Sequence, residues 1–442
     1  MKRLLYADLV KWRDSAGRKP LVLRGARQVG KSYLLSEFGR REFPGVHLFD
    51  FEKDGRELIP LFEKTLDPKR VLKSLEIYQE KPIGAADLII FDEIQNCPRA
   101  LASLKYFCED VPEQAVCAAG SLLGVAVQES AYPVGKVVHL DLFPMSFEEV
   151  LLNSDRDMLL EAFYSCWDKG TVDSVVHAKL WDCLKEYYVT GGMPEAVAEF
   201  MRHGDSKAAG LLAAREVQRN LVYSFMRDFA KHSGAVNAAH IAAVYEDVPQ
   251  QLFGCVDASV KRYRFKNAVP GIKGFSQLEG PIGWLEKAGL IYKVPVCQRA
   301  EVPFQAFTKP NIFKLYLSDV GLLGSMLNLS PNVLINQDYG TTKGFFAENF
   351  VAAEFRAAGE HSLYSWRERN SEIEFLFDDE GSVVPVEVKS GLRTRSQSLR
   401  QFFIKYTPKQ AIRISGKMLG GADRPVFDIP LYYAGKVPQR YR

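Results

Sequence analysis

The eight residues Gly25-Ala26-Arg27-Gln28-Val29-Gly30-Lys31-Ser32 match the pattern G-x-x-x-x-G-K-[ST] at every fixed position. No other stretch restricts the fold as much. The apolar run Pro20-Leu21-Val22-Leu23 leads in with the length of a buried strand. Tyr33-Leu34-Leu35-Ser36-Glu37-Phe38 leads out with apolar residues at helical spacing. Strand, glycine loop and helix together form an anion cradle, because consecutive backbone N–H groups point inward at a helix N-terminus. Lys31 adds charge toward the β- and γ-phosphates, and Ser32 offers a hydroxyl to Mg²⁺. The loop therefore predicts an α/β fold with a parallel sheet and a bound nucleotide. Gly25, Ala26, Arg27, Gln28, Val29, Gly30, Lys31, Ser32 and Tyr33 are its expected contacts.

The following segments suit such a sheet. Val46-His47-Leu48-Phe49-Asp50-Phe51 reads as a second strand, and residues 58–79 are helical in spacing with a break at Pro68. Asp87-Leu88-Ile89-Ile90-Phe91-Asp92-Glu93 is an apolar strand ending in two carboxylates. Parallel strands covered on both faces read as continuous apolar runs, and ligands collect at their carboxyl ends. Asp92 is thus expected beside the metal held by Ser32, and Glu93 is expected to orient and activate the water that attacks the γ-phosphate. The strand Ala115-Val116-Cys117-Ala118-Ala119 ends at Gly120-Ser121. Ser121 is either a sensor of the γ-phosphate or a small residue chosen for a turn. A last strand over residues 137–142 precedes Ser146, whose helix carries Glu149 three residues on, a capping box.

At 442 residues, two or three domains are expected. A hydrophobic content of 47% and a charged content of 25% fit a soluble globular protein. Neither a run of eighteen apolar residues nor a leader pattern is found, so a cytoplasmic protein without membrane association is expected. Seven scattered cysteines include no Cys-x-x-Cys pair, which argues against zinc or a disulfide framework. The formal charge of +3 hides an asymmetry. Residues 391–442 hold eleven Lys or Arg against Asp423 and Asp428, a net +9, so the preceding residues sum to −6. A basic end suits a polyanion, or is simply a solvated face.

Five blocks occur in order: residues 25–32, Asp92-Glu93-Ile94-Gln95, Gly120-Ser121, Phe143-Pro144-Met145-Ser146-Phe147 and Gly191-Gly192-Met193-Pro194-Glu195. Together they resemble the prokaryotic AAA-type ATPases that carry a C-terminal domain of unknown function 4143, over essentially the whole chain. The resemblance implies an AAA core over residues 1–145, with the acid-bearing strand one strand removed from the phosphate-loop strand, and a helical lid over 146–234. It also implies a homo-oligomer, a hexamer among the sizes admitted, in which a neighbouring subunit completes the site. The family commonly has Gly-Arg before the last strand where this chain has Gly135-Lys136, and lysine lacks the guanidinium fork of an arginine finger. Arg99, Arg215, Arg219 and Arg227 are the alternatives.

Residues 235–335 suggest a winged-helix-like unit, with helices near 238–253 and 275–288 and a strand beginning at Gly289. Lys261, Arg262, Arg264, Lys266 and Lys273 carry five charges with no acid between, interleaved with Tyr263 and Phe265. Such a mixture suits phosphate contact plus base stacking, unless the aromatics are core. After a helix bearing Glu348, residues 371–377 alternate as a strand carrying Glu374, acidic residues 378–380 and Gly381 close a hairpin, and the next strand turns Val384, Val386 and Val388 to one face and Glu387 and Lys389 to the other. With these residues, 340–442 resemble the PD-(D/E)XK nuclease fold. That resemblance makes Glu348, Glu374 and Glu387 metal ligands and Lys389 the catalytic lysine. Glu374 departs from the usual Asp, which admits a domain that only grips DNA, with Arg393 and Arg395 among its basic residues. The expected function is ATP hydrolysis with Mg²⁺ by an oligomer coupled to DNA binding or remodelling. An ATP-controlled nuclease and a nucleotide-switched protein scaffold are the alternatives.

Overall fold

The computed structural model describes residues 1–121, 132–204, 206–233, 235–254, 262–266, 268–272, 274–336, 343–369, 371–392, 397–420 and 425–441. The chain divides into two compact units. One is Met1–Phe143 with Lys287–Gly289, and the other is Pro144–Glu286 with Leu290–Arg442.

In the first unit, β1 (Leu21–Arg24), β2 (Val46–Asp50), β3 (Leu88–Asp92), β4 (Ala115–Gly120) and β5 (Val138–Asp141) form a sheet in the order β2-β3-β4-β1-β5. Every pairing in it is parallel. Strands β3 and β4 are buried at every position, as their unbroken apolar sequences require. The acid-bearing β3 stands one strand from β1, the order that the family resemblance implied. Register aligns the carboxyl ends, pairing Asp50 with Asp92 and Arg24 with both Gly120 and Asp141. Behind β3 a cluster of rings fixes the layer of helices: Phe51, Phe62 and Phe91 meet edge to face at 5.5 to 5.8 Å. The expected break at Pro68 separates helices Gly55–Lys64 and Pro68–Gln79. Asp67 caps the second by accepting from the Lys69 amide at 2.9 Å.

The second unit joins helices to a seven-stranded sheet, made of β6 (Ile291–Cys297), β7 (Phe313–Leu317), β8 (Tyr364–Glu368), β9 (Ser371–Asp379), β10 (Ser382–Val388), β11 (Ala411–Ser415) and β12 (Val426–Pro430). Their order is β12-β11-β10-β9-β8-β6-β7. The helices expected near 238–253 and 275–288 are present as Ala235–Gly254 and Phe275–Lys287. The hairpin after them does not close off a separate wing. Strand β6 pairs in parallel with β8 through Val296–Ser365 and Cys297–Trp366, so one sheet runs across the boundary expected at 335–340. The β9–β10 hairpin forms around the predicted acidic turn, with Ser382 opposite Asp379. Alternation had suggested one apolar and one polar face, yet both faces of β9 and β10 are covered, Glu374 and Glu387 included.

Two of the sequence blocks meet in this unit. The Met145 amide donates to the Gly192 carbonyl at 2.7 Å, and the Tyr187 hydroxyl donates to the Met145 carbonyl at 2.6 Å. A Cβ on Gly192 would lie 1.9 Å from that Met145 oxygen, so only glycine permits the approach. The predicted capping box is formed: the Glu149 amide donates to Ser146 Oγ at 3.2 Å, and the Ser146 amide donates to Glu149 Oε2 at 3.1 Å.

Candidate nucleotide site

The phosphate loop links β1 to the helix Lys31–Glu42. Gly25 lies at φ +153°, and a Cβ there would fall 2.1 Å from the Leu142 carbonyl oxygen, which keeps this entry to the loop for glycine. Lys31 folds back over the loop and donates to the carbonyls of Gly25 at 3.0 Å and Ala26 at 2.8 Å. Burial lowers its pKa to about 8, against the opposing pull of Glu93 and Asp92. Its ammonium is thus held over the cradle by backbone acceptors. Tyr33, at the end of the motif, is exposed.

Asp92 is buried at the end of β3, and burial pushes its carboxyl above the usual range while a hydrogen bond from Ser32 opposes the shift. A serine hydroxyl against a buried carboxylate is a hard-oxygen donor pair, and it suits Mg²⁺, which would relieve the cost of that burial. The next residue turns sharply: Glu93 has φ +48°, and its amide donates to Asp92 Oδ1 at 3.0 Å. The Glu93 carboxylate Oε2 accepts from Ser121 Oγ at 3.4 Å and from Gln95 Nε2. Arg27 Nε in turn donates to Ser121 Oγ at 3.3 Å. Adjacent parallel strands β3 and β4 place these side chains next to one another. Lys31, Ser32, Asp92, Glu93 and Ser121 therefore converge on one sheet edge.

Sequence inspection overlooked Arg3. Its buried guanidinium donates from Nη1 to the Val29 carbonyl at 2.8 Å and from Nη2 to the Phe143 carbonyl at 2.6 Å. It ties the loop to the chain that follows β5. No local pattern reveals it, because its acceptors are backbone atoms 26 and 140 residues away.

The cations considered as a finger separate clearly. Lys136 pairs with Glu109 at 2.8 Å, and Arg99 Nε donates to the Phe62 carbonyl at 2.8 Å. Arg215 is 2% exposed and donates to Gln218 and to the Gly321 carbonyl, so it is sealed inside its own fold and is withdrawn as a group reaching a neighbour. Arg219 and Arg227 are exposed.

The nuclease-like acids are paired individually. Glu348 Oε2 accepts from Tyr316 at 3.1 Å and from Lys314 at 3.3 Å, and Lys314 also pairs with Glu372. Burial alone would lower the Lys314 pKa, but Glu348 and Glu372 hold it well above the usual value. Glu374 Oε2 accepts from the Val388 amide at 3.0 Å, and Glu387 pairs with Lys389 at 3.1 Å. Among the described residues no group of three or more His, Cys, Asp or Glu is placed to hold a metal ion. Each of these carboxylates takes a donor from the chain itself.

In the basic–aromatic run, Tyr263 is buried, donating to Asp247 at 2.8 Å and stacking on Phe313, and Phe265 packs on Phe275 and Phe313. These rings are core and do not form a stacking platform. Arg262, Arg264 and Lys266 remain exposed beside them. Lys261, Lys273, Arg393 and Arg395 lie outside the described residues. Part of the basic end is neutralised internally: Arg413 forks onto Asp428 at 2.5 and 2.7 Å, Lys417 reaches the same acid at 3.5 Å, and Lys436 pairs with Glu148 at 2.8 Å. No helix among the described residues is long and apolar enough to cross a membrane.

The family models for an AAA domain and for the domain of unknown function DUF4143 match residues 17–151 and 343–422. An AAA domain and a DUF4143 domain are thus both present, which fits a prokaryotic-type AAA ATPase with a DUF4143 C-terminus. Between the two domains of this AAA ATPase, residues 182–333 match a further domain of unknown function, DUF8612. No curated protein matches the chain. Among solved structures, the Walker-type ATPase PABY2304 of Pyrococcus abyssi is 16% identical with a TM-score of 0.46, covering 73% of this chain and 94% of that one. The Orc1 protein of Aeropyrum pernix in complex with DNA is 12% identical with a TM-score of 0.29, covering 74% and 90%. AMPPCP-bound DnaA from Aquifex aeolicus is 10% identical with a TM-score of 0.26, covering 64% and 88%.

Proposed function

We propose that this AAA ATPase hydrolyses ATP with Mg²⁺ as a homo-oligomer and couples turnover to DNA. The observation that carries the hydrolytic reading is the convergence of Lys31, Ser32, Asp92 and Glu93 at the carboxyl edge of the parallel sheet. Loop amides and Lys31 bind the phosphates. Ser32 and Asp92 would hold Mg²⁺, which would supply positive charge to the phosphate oxygens. Glu93 accepts the proton of the water whose oxygen attacks the γ-phosphorus, and the bond to the β,γ-bridging oxygen breaks with its electron pair leaving on ADP. Ser121 and Gln95 hold the Glu93 carboxylate in place for that transfer.

Coupling to DNA is supported by the exposed Arg262, Arg264 and Lys266. Oligomeric action is supported by the exposed Arg219 and Arg227, which are open to a neighbouring subunit. The test is the steady-state ATPase rate with and without single-stranded, duplex and four-way-junction DNA at two salt concentrations. Stimulation that fades with salt is expected. An unchanged rate with every DNA would sink the coupling and favour the protein scaffold, leaving hydrolysis itself standing. The nuclease alternative is tested separately, by Mg²⁺- or Mn²⁺-dependent DNA cleavage that Lys389→Ala removes.

A further inference from the structure

We propose that Arg27 is a catalytic residue of this site, its guanidinium supplying in cis the cation that stabilises charge on the γ-phosphate during hydrolysis. The inference rests on the ATPase reading above. Phosphoryl transfer needs positive charge on the equatorial oxygens of the moving group, supplied in nucleotide hydrolases by an arginine of the same chain or of a partner.

Three observations single out Arg27. It belongs to the phosphate loop itself, four residues before Lys31, so a bound phosphate chain lies against its backbone. Its Nε donates to Ser121 Oγ, which donates to the carboxylate of Glu93. The guanidinium is thus carried along the line from the loop to the proton acceptor, where the γ-phosphate must sit. Finally, three of the other candidate cations are engaged or enclosed, namely Lys136 on Glu109, Arg99 on the Phe62 carbonyl, and Arg215 in the interior of its own unit, whereas Arg219 and Arg227 are exposed.

A role confined to holding Glu93 through Ser121 makes Arg27 a positioning residue, and this is separable by experiment. The variants are Arg27→Ala, Arg27→Lys, Ser121→Ala and the double Arg27→Ala/Ser121→Ala, each compared with wild type for kcat and for affinity toward a fluorescent ATP analogue. Arg27→Ala is expected to retain nucleotide affinity within roughly threefold and to lose kcat by about a hundredfold or more. Ser121→Ala is expected to lose less, and Arg27→Lys is expected not to rescue, because an ammonium lacks the planar fork. Retained affinity also reports a folded loop.

Mixing Arg27→Ala with Glu93→Gln subunits provides the second arm. A residue acting in cis gives no recovery, whereas one acting across subunits is complemented. The proposal is overturned by an Arg27→Ala kcat within threefold of wild type, by recovery on mixing, or by equal losses in both single variants with no further loss in the double. Wild-type protein without turnover would overturn the ATPase reading, and this inference with it. Wild-type turnover that Arg27→Ala preserves removes this inference alone.

Discussion

Each unit of the molecule contains carboxylates that the sequence marks as candidate metal ligands, and the two sets end in different surroundings. Asp92 and Glu93 finish a buried parallel strand beside the phosphate loop, where Ser32, Lys31 and Ser121 meet them. Glu374 and Glu387 lie in a sheet covered on both faces and Glu348 on the helix Lys343–Ala357, where Lys314, Tyr316, the Val388 amide and Lys389 engage them. A carboxylate buried with cationic and hydrogen-bonding partners from its own chain is an internal ion network. Its partners set its geometry and a ligand would have to displace them. The residue types match in the two places, and the difference lies in what surrounds them.

The comparison is broken most directly at Glu93. Glu93→Gln is expected to lower kcat roughly a thousandfold while nucleotide binding persists, and Lys31→Ala is expected to abolish binding. Lys389→Ala, by contrast, is expected to leave turnover unchanged and to remove no Mg²⁺- or Mn²⁺-dependent DNA cleavage, since none is expected of the parent. Retained hydrolysis in a clean Glu93→Gln preparation, or parental cleavage that Lys389→Ala abolishes, reverses the contrast.

Lys314 sharpens it from the other side. Removing its ammonium leaves Glu348 and Glu372 buried without their cation, so Lys314→Ala is expected to destabilise the protein by about 3–5 kcal/mol in urea unfolding. A cost below about 1 kcal/mol would show that the network does not depend on this cation.

Arg3 measures how far the nucleotide loop relies on donors outside its motif. Loss of two charge-assisted hydrogen bonds to loop and strand-end carbonyls is expected to weaken nucleotide affinity roughly tenfold in Arg3→Ala, with partial recovery in Arg3→Lys. Affinity equal to wild type would confine Arg3 to anchoring the N-terminal segment.

The smallest expected effect is a pH dependence in the second unit. Glu354 accepts from the Phe147 amide at 2.8 Å, and burial, with Glu148 and Glu149 adding to it and Lys436 opposing, raises its pKa from 4.5 to about 8. The tyrosines Tyr187 and Tyr292 also sense its charge. Because the folded state keeps the proton that the unfolded chain releases, this contribution to stability is full below pH 4.5 and is lost as pH rises through about 8. Glu354→Gln retains the acceptor for Phe147 and is expected to flatten the stability profile between those limits. An identical slope in the variant would assign the dependence to other groups.

Much of the first unit was legible beforehand. Motif spacing located the loop, unbroken apolar runs located the parallel strands, and Asp92 and Glu93 were recognisable from their place at a strand end. In the second unit the β9–β10 hairpin was legible from its acidic turn and its glycine. The burial of its polar face was not, because alternation cannot tell a solvated face from one lined with paired charges.

What the sequence determined by itself is the chemistry that depends on neighbours along the chain: the phosphate loop with its flanking strand and helix, the acid pair, and the capping box at Ser146 and Glu149. A few covalent bonds hold those groups together, so spacing alone implies geometry. Tertiary structure alone decided that Arg27 reaches Glu93 through Ser121, that Arg3 braces Val29, that Arg215 is enclosed, and that β6 and β7 extend the C-terminal sheet. It also decided that Asp428 draws off part of the basic end. Each of these depends on contacts between residues far apart in sequence. Their partners are chosen by packing and by the need of every buried polar group for a counterpart, which no local pattern encodes.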